Sequence, residues 1–106
     1  FDEIAERRGV GVQVTPRYDE PAATCAPWLV DQMAAAVERS GIRPLRLSSG
    51  AGHDGLAMIA LCPIAMLFVR CAGGISHNPA EAITAQDADA AIRVLTGFLR
   101  HLTPLQ

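Results

Sequence analysis

Two short loops of the 106-residue sequence combine glycines with a histidine. The first covers residues 50–55 (GAGHDG), the second covers residues 74–81 (GISHNPAE), and 24 positions separate His53 from His77. Glycines let a backbone approach a ligand closely, and a histidine can donate, accept or shuttle a proton near neutral pH. Each loop is predicted to follow a strand and to precede a helix, which is where ligands bind in open α/β sheets.

The first loop admits more than one interpretation. His53, supported by the adjacent Asp54, could donate to a carbonyl oxygen or move a proton, or it could merely brace the loop. Residues 50–55 also match the G-x-G-x-x-G pattern of dinucleotide sites. That reading needs an acidic residue about 20 positions on, whereas the next predicted strand ends in Arg70, which would suit only the 2′-phosphate of NADP.

The second loop carries a candidate metal ligand. A neutral imidazole on a rigid Gly/Pro loop suits metal binding, and Glu81 could orient the ring of His77 from behind. Zinc takes about four ligands, and even an open catalytic site has three from the protein. The other nearby candidates, Cys71, His53 and Asp54, have no recognised ligand spacing, so His77 predicts one ligand and not a complete site.

Composition narrows the class of protein. Half of the residues are hydrophobic, 19% are charged and the net charge is −2, which argues against disorder and against a nucleic-acid partner. The longest apolar run, residues 64–69, is far shorter than the ~20 residues of a membrane span. Three irregularly spaced cysteines predict free thiols and a cytoplasmic location. Because residue 1 is Phe1 and not methionine, we expect the natural chain to be longer.

Periodicity and turn signals predict helices and strands in alternation. The predicted order is helix 1–8, strand 10–15, helix 27–40, strand 45–47, helix 54–61, strand 64–69 and a final helix that begins at a Thr84–Asp87 capping box. The final helix has an apolar stripe formed by Ala88, Ala91, Ile92, Leu95, Leu99 and Leu102. Such alternation favours an α/β fold with a mostly parallel sheet flanked by helices.

Four segments taken together resemble one enzyme family. They are residues 49–54 (SGAGHD), 62–63 (CP), 66–69 (MLFV) and 74–81 (GISHNPAE). In combination they resemble the C-terminal part of the M20-type metallo-amidohydrolases. Their closest likeness is to the group of N-carbamoyl-L-amino acid hydrolases, allantoate amidohydrolases and beta-ureidopropionases. The resemblance runs from about residue 9 to the end of the chain.

The resemblance implies a catalytic α/β domain interrupted by a smaller lid that also forms a homodimer interface. It implies that residues 1–20 are the last helix and strand of the lid and that residues 21–106 are the C-terminal half of the catalytic domain. Two divalent metals, zinc or manganese, would activate the water that attacks a small carbamoyl or ureido substrate. The other ligands and the general base would come from the remainder of the parent chain, so we expect the 106 residues alone to be inactive.

The resemblance also assigns roles residue by residue. His77 matches the last metal-binding histidine of the family, and His53 matches a histidine that contacts substrate and stabilises the tetrahedral oxyanion. Gly52 and Ala51 lie in the same substrate-facing loop, and Glu81 matches a supporting glutamate behind the metal ligand. The alternative is a non-catalytic α/β interaction module or remnant; an NADP-binding fragment is a weaker one.

Overall fold

The computed structural model describes residues 1–17, 19 and 21–104. These ranges contain four α-helices and one 3₁₀ turn: α1 (Asp2–Arg8), α2 (Pro27–Arg39), α3 (Gly55–Met58), the 3₁₀ turn (Ala72–Gly74) and α4 (Ala85–His101). None of the helices within these ranges is long and apolar enough to cross a membrane.

The core is the contact between α2 and α4. Leu29, Met33 and Ala36 are spaced so that they share one face of α2, and they are buried against Val94 and Phe98 of α4. Within the described residues no other pair of helices packs together.

Both core helices begin where the sequence predicts. Thr84 caps α4, since its Oγ1 accepts from the backbone N–H of Asp87 at 3.1 Å, which confirms the N-cap half of the capping box. The carboxylate of Asp87 accepts from the hydroxyl of Thr84 at 2.6 Å. Pro27 opens α2 without a side-chain cap, because Ala26 precedes it. The N–H of Ala26 instead donates to the carbonyl of Ile64 at 2.9 Å, so the start of α2 is joined to the segment 64–69.

The predicted sheet is wrong for the described residues. Segments 10–15, 45–47 and 64–69 are assigned to no strand. A strand is completed by a neighbour about 4.8 Å away that accepts and donates its backbone hydrogen bonds. These segments have the right side chains for strands but no such partner in the described part of the chain, so the α/β fold with a parallel sheet is not formed there.

The segment 64–69 is only partly covered. Ala65 and Leu67 pack against the helix pair, whereas 47% of Phe68 and 39% of Val69 are exposed. The unbroken apolar run predicts a strand buried on both faces. Here residues 64–67 are half-buried, and residues 68–69, at the end of the segment, are exposed.

Helix α4 buries a different face from the predicted one. Its apolar stripe predicts that Ile92, Leu95 and Leu99 face the core, but Ile92 is 63% and Leu99 68% exposed. The buried residues are Val94 and Phe98. Because α4 has apolar residues on two faces, periodicity alone could not select the one that contacts α2.

The C-terminal end of α4 is fastened to α2 by a pair of reciprocal hydrogen bonds. Gln32 donates from Nε2 to the carbonyl of Thr103 and accepts at Oε1 from the N–H of Thr103, both at 2.9 Å.

The chain is extended, with a radius of gyration of 19.1 Å. A compact domain of this length would have about 13 Å.

Helix α1 stands apart from the α2–α4 pair. Gly9 ends it in the left-handed conformation, with φ of 63°, as predicted. No other helix of the described residues contacts it. The predicted boundary after Glu20 and the predicted end at 105–106 fall on residues outside the described ranges, so the division into residues 1–20 and 21–106 stays a prediction.

We expect Phe98→Ala to lower the free energy of unfolding by about 3 kcal/mol, because it leaves a cavity between α2 and α4. Urea unfolding followed by circular dichroism measures the loss. Leu99→Ala is the matched control: it removes a large apolar side chain from the adjacent, exposed position and should change stability little. Equal losses for the two variants would contradict the assigned core.

Candidate active-site groove

The two glycine-containing loops border one broad groove of about 1650 Å³. The predicted site residues that line it are Ala51, Gly52, His53, His77 and Glu81. Asp54 is not among its lining residues. The groove is larger than the roughly 300–1,000 Å³ of an enclosed small-molecule site, so these residues form a wall rather than a closed pocket.

The ring of His53 is held by the start of α3. The backbone N–H of Gly55 donates to Nδ1 of His53 at 3.0 Å. Asp54 is the N-cap residue of α3, but its side chain accepts no capping hydrogen bond and is exposed. The group that fixes the histidine is therefore a backbone amide two residues on, and not the adjacent carboxylate.

His77 has an unusual backbone. It is the only non-glycine residue of the described ranges with a positive φ, at 55°. Residues with a Cβ rarely adopt this left-handed conformation, and they keep it only where surrounding contacts impose it. Oε2 of Glu81 supplies such a contact, since it accepts from the N–H of His77 at 2.8 Å. Glu81 thus binds the main chain of His77.

The rest of the second loop is closed by Asn78. Its side-chain Oδ1 accepts from the N–H of Ala80 at 2.9 Å, and its carbonyl accepts from the N–H of Glu81 at 2.8 Å. Sequence reasoning missed this role, although Asn followed by Pro79 is a recognised turn signal. Together these bonds bring the carboxylate of Glu81 back to the amide of His77.

Arg70 connects the groove to the start of α4. Its Nη1 lies 3.8 Å from Oδ1 of Asp87, and the other carboxylate oxygen of Asp87 accepts from Oγ1 of Thr84 at 2.6 Å. Arg70 also lines the groove, and 79% of its side chain is exposed. The guanidinium therefore remains accessible, and the ion pair is weak.

The described residues do not form a complete metal site by themselves. Within the described ranges no three His, Cys, Asp or Glu side chains come together in a way that could hold an ion. The three cysteines are unpaired; Cys62 is exposed, and Cys25 and Cys71 are half-buried. His77 is thus at most one ligand among others.

The first loop lacks the surroundings of a dinucleotide site. A pyrophosphate site needs a strand before the glycines and the N-terminus of a full helix after them. Residues 45–47 belong to no strand, and α3, which follows the glycines, has only four residues.

Comparison with known proteins assigns the family. The model of the peptidase family M20/M25/M40 matches residues 6–101. The chain belongs to this family. The M20 chain is 40% identical over 95 residues to an N-carbamoyl-L-amino acid amidohydrolase of Geobacillus stearothermophilus, an alignment that covers 89% of the chain and 23% of the relative.

Plant proteins are similar as well. A probable allantoate deiminase of Oryza sativa subsp. japonica is 47% identical over 70 residues, covering 66% of the M20 chain and 14% of the relative. The allantoate deiminase of Arabidopsis thaliana is 36% identical over 106 residues, covering 92% and 20% respectively. The chain therefore spans about a fifth of the length of its curated relatives. No solved structure matches it.

We expect Glu81→Ala to raise the hydrogen-exchange rate of the His77 amide about tenfold, because a hydrogen bond to a charged acceptor is lost. Amide exchange followed by NMR measures the rate. Glu81→Gln is the control, since its side-chain oxygen can still accept from the amide and should keep most of the protection. Unchanged exchange in Glu81→Ala would mean that the carboxylate does not hold the loop.

Proposed function

We propose that this M20 chain is the C-terminal part of a metal-dependent amidohydrolase that cleaves the C–N bond of N-carbamoyl amino acids or of ureido compounds such as allantoate. The observation that carries the proposal is that both histidine loops of the family line one groove. The names of two relatives, allantoate deiminase and N-carbamoyl-L-amino acid amidohydrolase, support the substrate class.

Within the groove, each loop has a proposed task. His53, together with Gly52 and Ala51, binds the substrate, and the imidazole stabilises the oxygen on which negative charge develops. His77 binds a metal, with Glu81 supporting it through the backbone contact at 2.8 Å. Asp54 is proposed as a supporting residue of the first loop, at the start of α3.

The metal would be a pair of divalent ions, zinc or manganese. The described residues offer it a single imidazole and no cluster of ligands. His77 is therefore proposed as one ligand of a site that the remainder of the parent chain completes, and the chemistry at the ions belongs to that larger site. The same reasoning makes the 106 residues inactive alone.

The proposed domain division follows the separation of α1 from the helix pair. Residues 1–20 would belong to a lid domain, which would form the homodimer interface of the complete enzyme, and residues 21–106 to the catalytic domain. The location is proposed to be cytoplasmic, because three cysteines remain as thiols.

We expect the isolated chain to hydrolyse neither an N-carbamoyl amino acid nor allantoate when zinc or manganese is added, because one ligand cannot assemble the site. Ammonia release and substrate loss measure the reaction. A robust metal-dependent rate from the 106 residues would overturn the proposal that the rest of the enzyme is required.

In the complete enzyme that contains this chain, we expect His77→Ala to lower kcat/KM by more than about 100-fold. Loss of a residue that only supports a ligand already costs about 10- to 100-fold. Metal content, measured on the same samples, should fall with it. His101→Ala is the matched control, because His101 is exposed near the end of α4 and its ring hydrogen-bonds to Gly97 of the same helix. Full activity in His77→Ala would contradict the ligand role of His77 and favour the alternative, in which this part of the enzyme is a non-catalytic module.

A further inference from the structure

The hydrogen bond between Gly55 and His53 determines which ring nitrogen carries the proton. An N–H group donates only to a nitrogen with a free lone pair, so Nδ1 of His53 is unprotonated while it accepts from Gly55 at 3.0 Å. In a neutral imidazole the proton is then on Nε2. Because Nδ1 is occupied, the nitrogen that remains for a ligand is a hydrogen-bond donor.

Residue 55 is suited to this contact in two respects. It is the first residue of α3, and the first N–H groups of a helix have no partner inside the helix. It also has no side chain where space is short: a Cβ at this position would lie 3.3 Å from Nδ1 of His53 and 3.3 Å from Cδ1 of Ile64. A Cβ at this position would therefore require the His53 ring or the Ile64 side chain to shift by a few tenths of an ångström.

We propose that Gly55 is a positioning residue that holds His53 as the Nε2–H tautomer, so that His53 serves the groove as a hydrogen-bond donor to a ligand oxygen. In this state His53 is neither a proton acceptor nor a metal ligand, because Nε2 is protonated and Nδ1 is engaged. The identity of the acceptor, a carbonyl oxygen of a carbamoyl or ureido substrate, rests on the proposed function. The tautomer itself does not.

The chain contains its own reference for the opposite tautomer. Nδ1 of His101 lies 2.8 Å from the carbonyl oxygen of Gly97. A carbonyl can only accept, so Nδ1 of His101 must carry a proton. The two histidines are therefore predicted to show opposite nitrogen signatures within one sample.

Nitrogen-15 NMR of the labelled chain in alkaline buffer, where imidazoles are neutral, tests the assignment. We expect His53 to show a protonated Nε2 and an unprotonated Nδ1, with a scalar coupling across the hydrogen bond to the amide nitrogen of Gly55. His101 should show a protonated Nδ1. A protonated Nδ1 at His53, or a mixture of tautomers there, would overturn the proposal.

Two glycine variants test the positioning role. Gly55→Pro should abolish the coupling and change the His53 nitrogen shifts, because proline has no backbone N–H to donate to Nδ1 and is tolerated at the first position of a helix. Gly50→Ala, in the same loop, should leave both unchanged, because a Cβ at that position meets nothing within 4 Å. An unaltered His53 spectrum in Gly55→Pro would refute the role of Gly55. No substrate or metal is present in these spectra, so their result is independent of whether the proposed hydrolysis occurs.

Discussion

The packing of α2 against α4 is the interaction on which the rest of the chain depends. Leu29, Met33 and Ala36 meet Val94 and Phe98 in the only helix–helix contact of the described residues. The segment 64–69 rests on this pair and leads directly to the second loop, while α4 begins a few residues after that loop. The position of His77 is therefore set at both ends by elements that touch the same small core, and loss of this core would release the loop.

Much of the helical structure could be predicted from the sequence because its signals are local. Thr84 and Asp87 form their capping contact within one turn, and Gly9 ends α1 by its own left-handed conformation. The sheet could not be predicted correctly, because a strand depends on a partner distant in sequence. Segments 45–47 and 64–69 have strand-forming side chains, yet the described residues supply no neighbour to pair with them.

In the candidate site, too, some features could be predicted from the sequence and others could not. The spacing and types of residues in the two loops predict His53 and His77 as site residues, and one groove borders both. The groups that hold them were harder to foresee, because each is a contact to the main chain. Gly55 donates a hydrogen bond to His53 from its backbone N–H, a group that every residue but proline has. Glu81 accepts a hydrogen bond from the backbone N–H of His77 and does not contact its ring through that bond. Side-chain patterns carry little information about such bonds.

The open faces of the molecule have a consequence for its behaviour in concentrated solution. Apolar surface is exposed by Leu45, Leu47 and Phe68, on segments that belong to no strand in the described part of the chain. A net charge of −2 provides only weak mutual repulsion between copies. Colloidal stability is therefore expected to depend strongly on concentration and ionic strength. Whatever covers these segments would act as a solubilising partner as well as a structural one.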